Sequence, residues 1–243
     1  MPNPKFSIIT VTFNAEKTIK RTLKSVTAQS YTNIEHIIVD GASQDNTLNI
    51  IKEYQRDTTK IIHEPDKGIY DAMNKGIKQA TGDYLCFLNA GDCLHNSHTL
   101  RDITDSLNER GFPDIIYGDT DIVNNEGIFV YKRHLSPPEQ LNWKSFKKGM
   151  LVCHQSFYVR RELVLNYDLQ YKFSSDFDWC IRIMKKAGTF YNTHMILTDY
   201  LNEGMTTRNH KKSLKERFHI MSKYYGMPET IIRHIGFIFR NLL

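Results

Sequence analysis

Short runs rich in Ile, Val and aromatic residues recur through the N-terminal part of this chain, and between them lie stretches with apolar residues at helical spacing. That alternation is the pattern of an α/β fold, a mostly parallel sheet covered by helices. Phe6–Thr12 reads as a first strand, and Ala15–Thr27 as a helix with Ile19, Leu23 and Val26 on one face. Glu35–Val39 reads as a second strand ending at Asp40-Gly41, Asn46–Tyr54 as a second helix and Lys60–His63 as a third strand. Ile69, Ala72, Met73, Gly76, Ile77 and Ala80 share one helical stripe, which predicts a helix over Ile69–Gln79. Tyr84–Leu88 is a further apolar strand, running into Asn89-Ala90-Gly91-Asp92.

The second half is less regular. Ile115–Gly118 and Ile128–Tyr131 read as strands around the turn Asn124-Asn125-Glu126-Gly127, a polar loop with Pro137-Pro138 follows, and a strand is expected near Gln155–Val159. Phe177–Ala187 reads as a helix stopped by Gly188, the residue type favoured just past a helix end. From about Asn209 two helical segments are expected, separated by Gly226-Met227-Pro228.

A length of 243 residues suits one large α/β domain, or one domain with a short appendage. The expected division is a main α/β domain over 1–205, its two halves meeting at about 95, then a basic helical extension over 206–243. Cys86, Cys93, Cys153 and Cys180 form no CxxC pair, which argues against a structural zinc site and fits a reducing compartment. No run approaches the roughly 18 apolar residues of a bilayer span, and the N-terminus lacks the pattern of a secretory signal, so a cytoplasmic location is expected. Of the net charge of +5, the segment 206–243 carries +6 and the rest of the chain −1.

Ligands of open α/β sheets bind at the carboxyl ends of the strands. Asp40, Asp66 and Asp92 all fall at or just after such ends. Each has a plainer role open to it: Asp40 as a turn residue in Asp-Gly, Asp66 or Asp71 as a helix-start acid, Asp92 as a cap. Several on one edge are better explained by a ligand. Asp92, after a glycine-containing turn, suits Mg²⁺ or Mn²⁺, ions that bind through one or two carboxylates together with substrate phosphates.

Five segments in order, SIITVTFN, IIVDGASQDNT, EPDKGIYDAMNKG, GDYLCFLNAGD and SSDFDW, resemble family 2 glycosyltransferases of the GT-A fold. The resemblance covers roughly residues 5–200. It implies a Rossmann-like, mixed and mostly parallel sheet flanked by helices with a C-terminal helical tail, the catalytic domain over 1–205 having a donor-binding half to about 95 and an acceptor half over 96–205. It also implies an inverting transfer of sugar from a UDP- or GDP-sugar to a saccharide acceptor, as in bacterial exopolysaccharide, colanic-acid or O-antigen assembly. Thr10, Thr12, Asn14 and Asp40 then match positions around the base and ribose, and Asp66, Asp71, Asn74 and Lys75 a segment lining the diphosphate-sugar. Asn89-Ala90-Gly91-Asp92 takes the place of the family's DXD motif with only its final acid, the metal ligand, retained. Asp176 matches the family's catalytic base; Ser175 replaces the Glu usual before it, which leaves Asp178 as the second candidate. His154, Gln155 and Arg208 are expected on the acceptor side or on a closing loop, with a satisfied structural role the alternative for His154.

In the tail, Ile231, Ile232, Ile235, Phe237 and Ile238 mix with Arg233 and Arg240. Such a helix either lies on the inner face of the cytoplasmic membrane, where a lipid-linked acceptor would be met, or packs on protein. A nicotinamide-dependent oxidoreductase is disfavoured because the turn after the first strand, Thr12 to Lys17, contains no glycine. Nucleic acid is not expected as a partner, since no recognition module accompanies the basic residues. A non-catalytic, membrane-associated nucleotide-sugar-binding scaffold is the competing reading.

Overall fold

The computed structural model describes residues 3–107, 111–202 and 210–240. At its centre β1 (Phe6–Thr12) is buried at every position, as expected of a strand covered on both faces. β1 runs parallel to β2 (Ile34–Asp40) on one side and to β4 (Tyr84–Phe87) on the other, and β3 (Thr59–His63) pairs in parallel with β2. Beyond β4 the sheet becomes mixed. β5 (Cys93–Leu94), β6 (Ile115–Val123), β7 (Phe129–Lys132), β8 (Phe157–Arg160) and β9 (Phe190–Leu201) complete the order β3-β2-β1-β4-β8-β6-β9-β5, with β7 on β6.

Helices cover both faces. On one, α1 (Ile19–Thr27) and α2 (Thr47–Glu53) bury Ile19, Leu23 and Ile51 against Ile38, while α4 (Thr99–Ser106) buries Leu100 and Ile103 with Phe6 and Ile8. On the other, α3 (Ile69–Gln79) lies so close to β1 that a Cβ on Gly76 would sit 2.4 Å from the Ile9 side chain. α5 (Ser175–Met184) shares that face, and Phe177, Trp179 and Ile183 join Ile9, Phe87 and Val159 in the largest apolar cluster.

α6 (His210–Tyr225) belongs to the same cluster through Ile220 and Met221. Glu216 also accepts the backbone N–H groups of Lys172, Phe173 and Ser174 at 2.8–2.9 Å, which ties α6 to the entry of α5. Half of the basic extension is therefore built into the core. α7 (Met227–Arg240) instead leaves Met227, Ile231, Ile232 and Ile235 exposed. Among the described residues no helix is long and apolar enough to cross a membrane.

Several expected boundaries move. α1 begins four residues later than the stripe suggested, because Ala15–Thr18 forms a separate turn closed by Thr18 N–H to Ala15 O. Gln155 lies in a 3₁₀ turn, His154–Ser156, ahead of β8 rather than within the strand. α5 starts at Ser175 and ends before Gly188, which adopts no left-handed conformation; its N–H donates to Asp114 instead. β9 and α4 have no counterpart in the sequence reading. Its alternation blurred by Thr193, His194, Thr198 and Asp199, β9 is held as a strand by β6 and β5 on either side.

Candidate active site

The carboxyl ends of β1 and β2 form a hydrogen-bonded shelf. Asp40, fully buried at the end of β2, accepts the Ser43 N–H at 3.0 Å, the Ser43 hydroxyl at 2.5 Å and a bond from His63 Nδ1 at 2.6 Å. Ser43 Oγ in turn accepts the Asn14 N–H at 2.8 Å, and Asn14 Oδ1 accepts the Gln44 N–H at 2.9 Å. Asn14 and Ala42 both have positive φ, at 47° and 61°. Strained non-glycine backbone of this kind gathers where surrounding structure holds a binding surface in shape. Between them Phe13 stands 61% exposed, a large aromatic face directly at the strand end. Thr12 Oγ1 is buried there without a hydrogen-bond partner among the described residues.

The entry to α3 closes onto this shelf. Asp66 accepts the Gly68 N–H at 2.8 Å, and its other oxygen lies where a Cβ on Gly41 would come within 2.3 Å. Any side chain at position 41 would have to displace the Asp66 carboxylate. Asp71 accepts the Lys67 N–H at 3.0 Å, the bond expected of a helix-start acid. Lys75 donates to Pro65 O at 2.6 Å and pairs with Glu64 at 2.8 Å, so it braces this loop from behind.

Past β4, Gly91 takes φ 105°, and a Cβ there would also strike Leu201 at 2.6 Å. This turn delivers Asp92, which is 3% exposed and no helix cap. Its carboxylate accepts the Gln155 side-chain N–H at 2.8 Å and the Leu201 backbone N–H at 3.0 Å. Burial pushes its pKa up to about 7, against the partial relief of those bonds and of the Arg21 charge. Gln155 is held for this task by the Cys153 thiol, which donates to its Oε1 at 3.1 Å. Nearby in the chain, Asn89 Oδ1 is buried with no partner among the described residues, and Ala90 is half-buried. The available donors are thus oxygens, a carboxylate and an orphaned amide carbonyl, which is the donor chemistry Mg²⁺ or Mn²⁺ prefers.

Asp176 lies in the first turn of α5, half-buried, and accepts the Tyr70 hydroxyl at 3.1 Å and the Phe177 N–H at 2.9 Å. Tyr70 comes from α3, so one hydrogen bond couples that helix to this carboxylate. The Tyr70 phenol is held well above its ordinary pKa, by burial first and by the Asp176 charge second, and stays a donor. Tyr200 of β9 has its pKa raised by burial foremost, and by the charges of Asp92 and Asp176, so both carboxylates bear on one phenol. Two cations border the same region. Arg133 donates to the backbone oxygens of Leu135, Met150 and Leu151 and feels the charges of Arg217, Tyr200 and Asp176. Arg217 of α6 stacks over the Phe177 ring at 5.8 Å and has a buried Nε without a partner among the described residues.

Other expected site residues are occupied inside the fold. Thr10 is fully buried and bonds His36 Nε2 at 2.9 Å. Asn74 is a staple: its amide donates to Tyr167 O at 3.1 Å and accepts the Tyr167 N–H at 2.7 Å. His154 is buried, stacked on Phe87 at 4.9 Å and bonded to the Tyr167 hydroxyl at 2.5 Å. Burial lowers its pKa to about 4, so it is a neutral interior ring. Asp178 is fully buried, with Arg182 at 2.5 Å, Lys223 at 3.4 Å and the Tyr224 hydroxyl at 2.8 Å around it. That carboxylate ties α5 to α6. Arg208, with His210's side chain, lies outside the described residues. Phe13, Tyr70, Arg133, Tyr200 and Arg217 were not anticipated; only Phe13, an aromatic immediately after a strand, carried a local signal.

Comparison with known proteins agrees with this geometry. The chain is 33% identical over 212 residues to PGL/p-HBAD biosynthesis glycosyltransferases of Mycobacterium tuberculosis and Mycobacterium bovis, covering 82% of this chain and 78% of theirs. It is 26% identical over 236 residues to WfgD of Escherichia coli, a UDP-Glc:alpha-D-GlcNAc-diphosphoundecaprenol beta-1,3-glucosyltransferase, covering 94% of this chain and 90% of that one. Among solved structures, Staphylococcus aureus TarS residues 1–349 in complex with UDP superposes with a TM-score of 0.74 at 18% identity, over 96% of this chain and 72% of that one. The mannosyltransferase PcManGT of Pyrobaculum calidifontis, in complex with GDP-Man and Mn²⁺, does so at 0.67 and 13%, over 97% of this chain and 75% of that one. The architecture is GT-A, and the model of glycosyl transferase family 2 matches residues 7–167. With its fold, its strand-end acids and these relatives in agreement, the chain belongs to glycosyl transferase family 2 and is a glycosyltransferase.

Proposed function

We propose that this enzyme transfers a sugar from a nucleoside-diphosphate sugar to a saccharide hydroxyl with inversion, in the assembly of a bacterial cell-surface glycan. The observation that carries the reading is the contrast between two neighbouring acids on α5. Asp178 is locked into ion pairs, whereas Asp176 remains half-exposed and is aimed by Tyr70. An inverting displacement needs one carboxylate to take the proton of the attacking hydroxyl at about 3 Å, and no covalent intermediate. Asp176 fills that role.

The nucleotide would lie on the shelf at the ends of β1 and β2, with its base on Phe13 and its ribose toward Asp40 and Asn14. Asp66 and Asp71 line the approach of the diphosphate-sugar. Asp92, with the Asn89-Ala90-Gly91 turn, would hold Mg²⁺ or Mn²⁺, which supplies charge neutralisation for the departing diphosphate. Gln155 positions Asp92, and Arg133 and Arg217 add positive potential at the cleft. Support for a nucleotide-sugar donor comes from the UDP and GDP-Man complexes of the structural neighbours. The name of WfgD, a relative acting on a diphosphoundecaprenol-linked sugar, supports a lipid-linked acceptor. The exposed Ile231, Ile232 and Ile235 beside Arg233 suit contact with an anionic inner membrane surface.

Calorimetric titration with UDP and GDP, with and without Mn²⁺, tests the donor site, and Asp176→Asn tests the base. Asp176→Asn should abolish transfer while retaining nucleotide affinity; full turnover in that variant would remove Asp176 from the mechanism.

A further inference from the structure

The face of the sheet away from Asp176 carries a second constellation. His95, just past β5, Asp121 on β6 and Asp199 on β9 bring one ligand atom each within 4.8 Å of one another. The sheet register explains why. Asp121 pairs directly with Asp199 across β6 and β9, and Asp199 pairs with Cys93 on β5, two residues from His95. Side chains in register across neighbouring strands share a face, and positions two apart on a strand share it too. Tyr200, which feels Asp92 and Asp176, is Asp199's chain neighbour and so projects from the opposite face. Leu197, two residues before Asp199, packs in the cluster with Leu100 and Ile103 of α4, which places the constellation on the α4 side.

Two carboxylates set opposite each other on neighbouring strands repel unless a cation lies between them. Asp199 has one partner in His95, at 2.7 Å from Nδ1. Asp121 has none of that kind. It is 8% exposed, forms no hydrogen bond or ion pair among the described residues, and directs its carboxylate at the other two. Attraction without a direct bond reaches it from His95 first and then from Lys132, exposed and opposite Asp121 on β7. Asp121, a buried residue with no donor among the described residues and facing an imidazole and a second carboxylate, presents the ligand set of a metal site.

We propose that His95, Asp121 and Asp199 form a divalent transition-metal site, separate from the donor-site metal at Asp92. One imidazole nitrogen with two carboxylate oxygens selects Zn²⁺ or a similar borderline ion over Mg²⁺ or Ca²⁺, which prefer all-oxygen shells. Tetrahedral bonds of about 2.0–2.2 Å set ligand atoms roughly 3.3 Å apart, so the triad needs only small side-chain adjustments to close. The His95 side chain is 33% exposed and borders a cleft with Asn96, Thr99 and Asp102, which gives the ion a way in. Bound there, the ion would clamp β5, β6 and β9 behind the strand that carries Leu201 to Asp92.

The test uses the full chain without an affinity tag, stripped with EDTA and free of nucleotide. Zn²⁺ stoichiometry is measured by calorimetry, and Co²⁺ is titrated as a visible-absorption probe of nitrogen-containing, low-coordinate sites. Wild type and Asp92→Asn should each bind one equivalent with the Co²⁺ band present. His95→Gln and Asp121→Asn should lose the band and bind more than tenfold more weakly. A thermal melt checks folding, and if Asp121→Asn does not fold, the partly exposed His95→Gln decides alone. Absence of Zn²⁺ binding in Asp92→Asn, or unchanged binding in His95→Gln, would overturn the site and leave His95 as a plain counter-ion to Asp199.

Discussion

Asp92 is both the expected metal ligand and a cost to the fold, and the two can be separated. Buried at 3% exposure, its carboxyl holds its proton up to a pH of about 7, whereas in the unfolded chain it loses it near the ordinary 3.8. The folded state therefore binds the extra proton between those limits. Stability contributed by the neutral acid is full below about pH 4, falls as pH rises to about 7, and is gone above. Each pKa unit is worth about 1.4 kcal/mol, so the shift sets an upper bound of about 4 kcal/mol. Relaxation around a buried charge reduces that, and about 1–3 kcal/mol is the working expectation. Asp92→Asn removes the charge while its amide oxygen keeps the Leu201 N–H, and a flip of the Gln155 amide restores the other bond. At roughly 2–4 °C per kcal/mol for a chain of this size, the variant should melt about 2–12 °C above wild type at pH 8 in EDTA. At pH 5 the gap should shrink, because wild type is then protonated. Scanning fluorimetry at the two pH values measures this directly. A variant that melts below wild type at pH 8, or a gap independent of pH, would refute the burial argument. The same variant should lose Mn²⁺-dependent nucleotide binding.

Other consequences are as specific. Metal-dependent donor affinity in the wild type should rise as pH increases through about 7, since a metal ligand must be deprotonated; a flat profile in calorimetry from pH 6 to 8 would count against Asp92 as the ligand. Phe13→Ala should weaken nucleotide binding by about 1 kcal/mol, roughly fivefold, with the melting temperature nearly unchanged because the ring is exposed. Asn74→Ala removes two buried bonds to the Tyr167 backbone and should destabilise by about 2–3 kcal/mol in urea unfolding. Glu35, 2% exposed, is held well below the ordinary carboxylate range by the Ser7 hydroxyl, Thr81 and Lys5 against its own burial. Its contribution is present above the ordinary carboxylate pKa and lost as pH falls below it, so Glu35→Gln should flatten the acid limb of the stability profile, read by melts between pH 3 and 6.

The N-terminal parallel strands were legible because burial on both faces demands unbroken β-branched runs, and Phe6–Thr12 and Tyr84–Phe87 are such runs. The strand-end acids were legible for a related reason. In a parallel sheet all carboxyl ends share one edge, so Asp40, Asp66 and Asp92 had to approach one another once the strands were recognised. β9 was not legible, since half of its positions are polar and its strand character comes from β6 and β5 on either side. The basic tail looked like an appendage by composition, yet α6 buries Ile220 and Met221 and supplies Lys223 and Tyr224 to Asp178.

Spacing alone therefore determined the order of the N-terminal strands and helices and the strand edge on which Asp40, Asp66 and Asp92 fall. Which acid stays available and which is consumed by the fold was decided in three dimensions. Asp176 and Asp178 stand two residues apart in similar local sequence; Tyr70, from a helix about a hundred residues earlier, orients one, while Arg182, Lys223 and Tyr224 neutralise the other. Partners that distant in the chain leave no local trace, because hydrogen bonds and ion pairs depend on positions in space and local sequence encodes only backbone preference and periodicity.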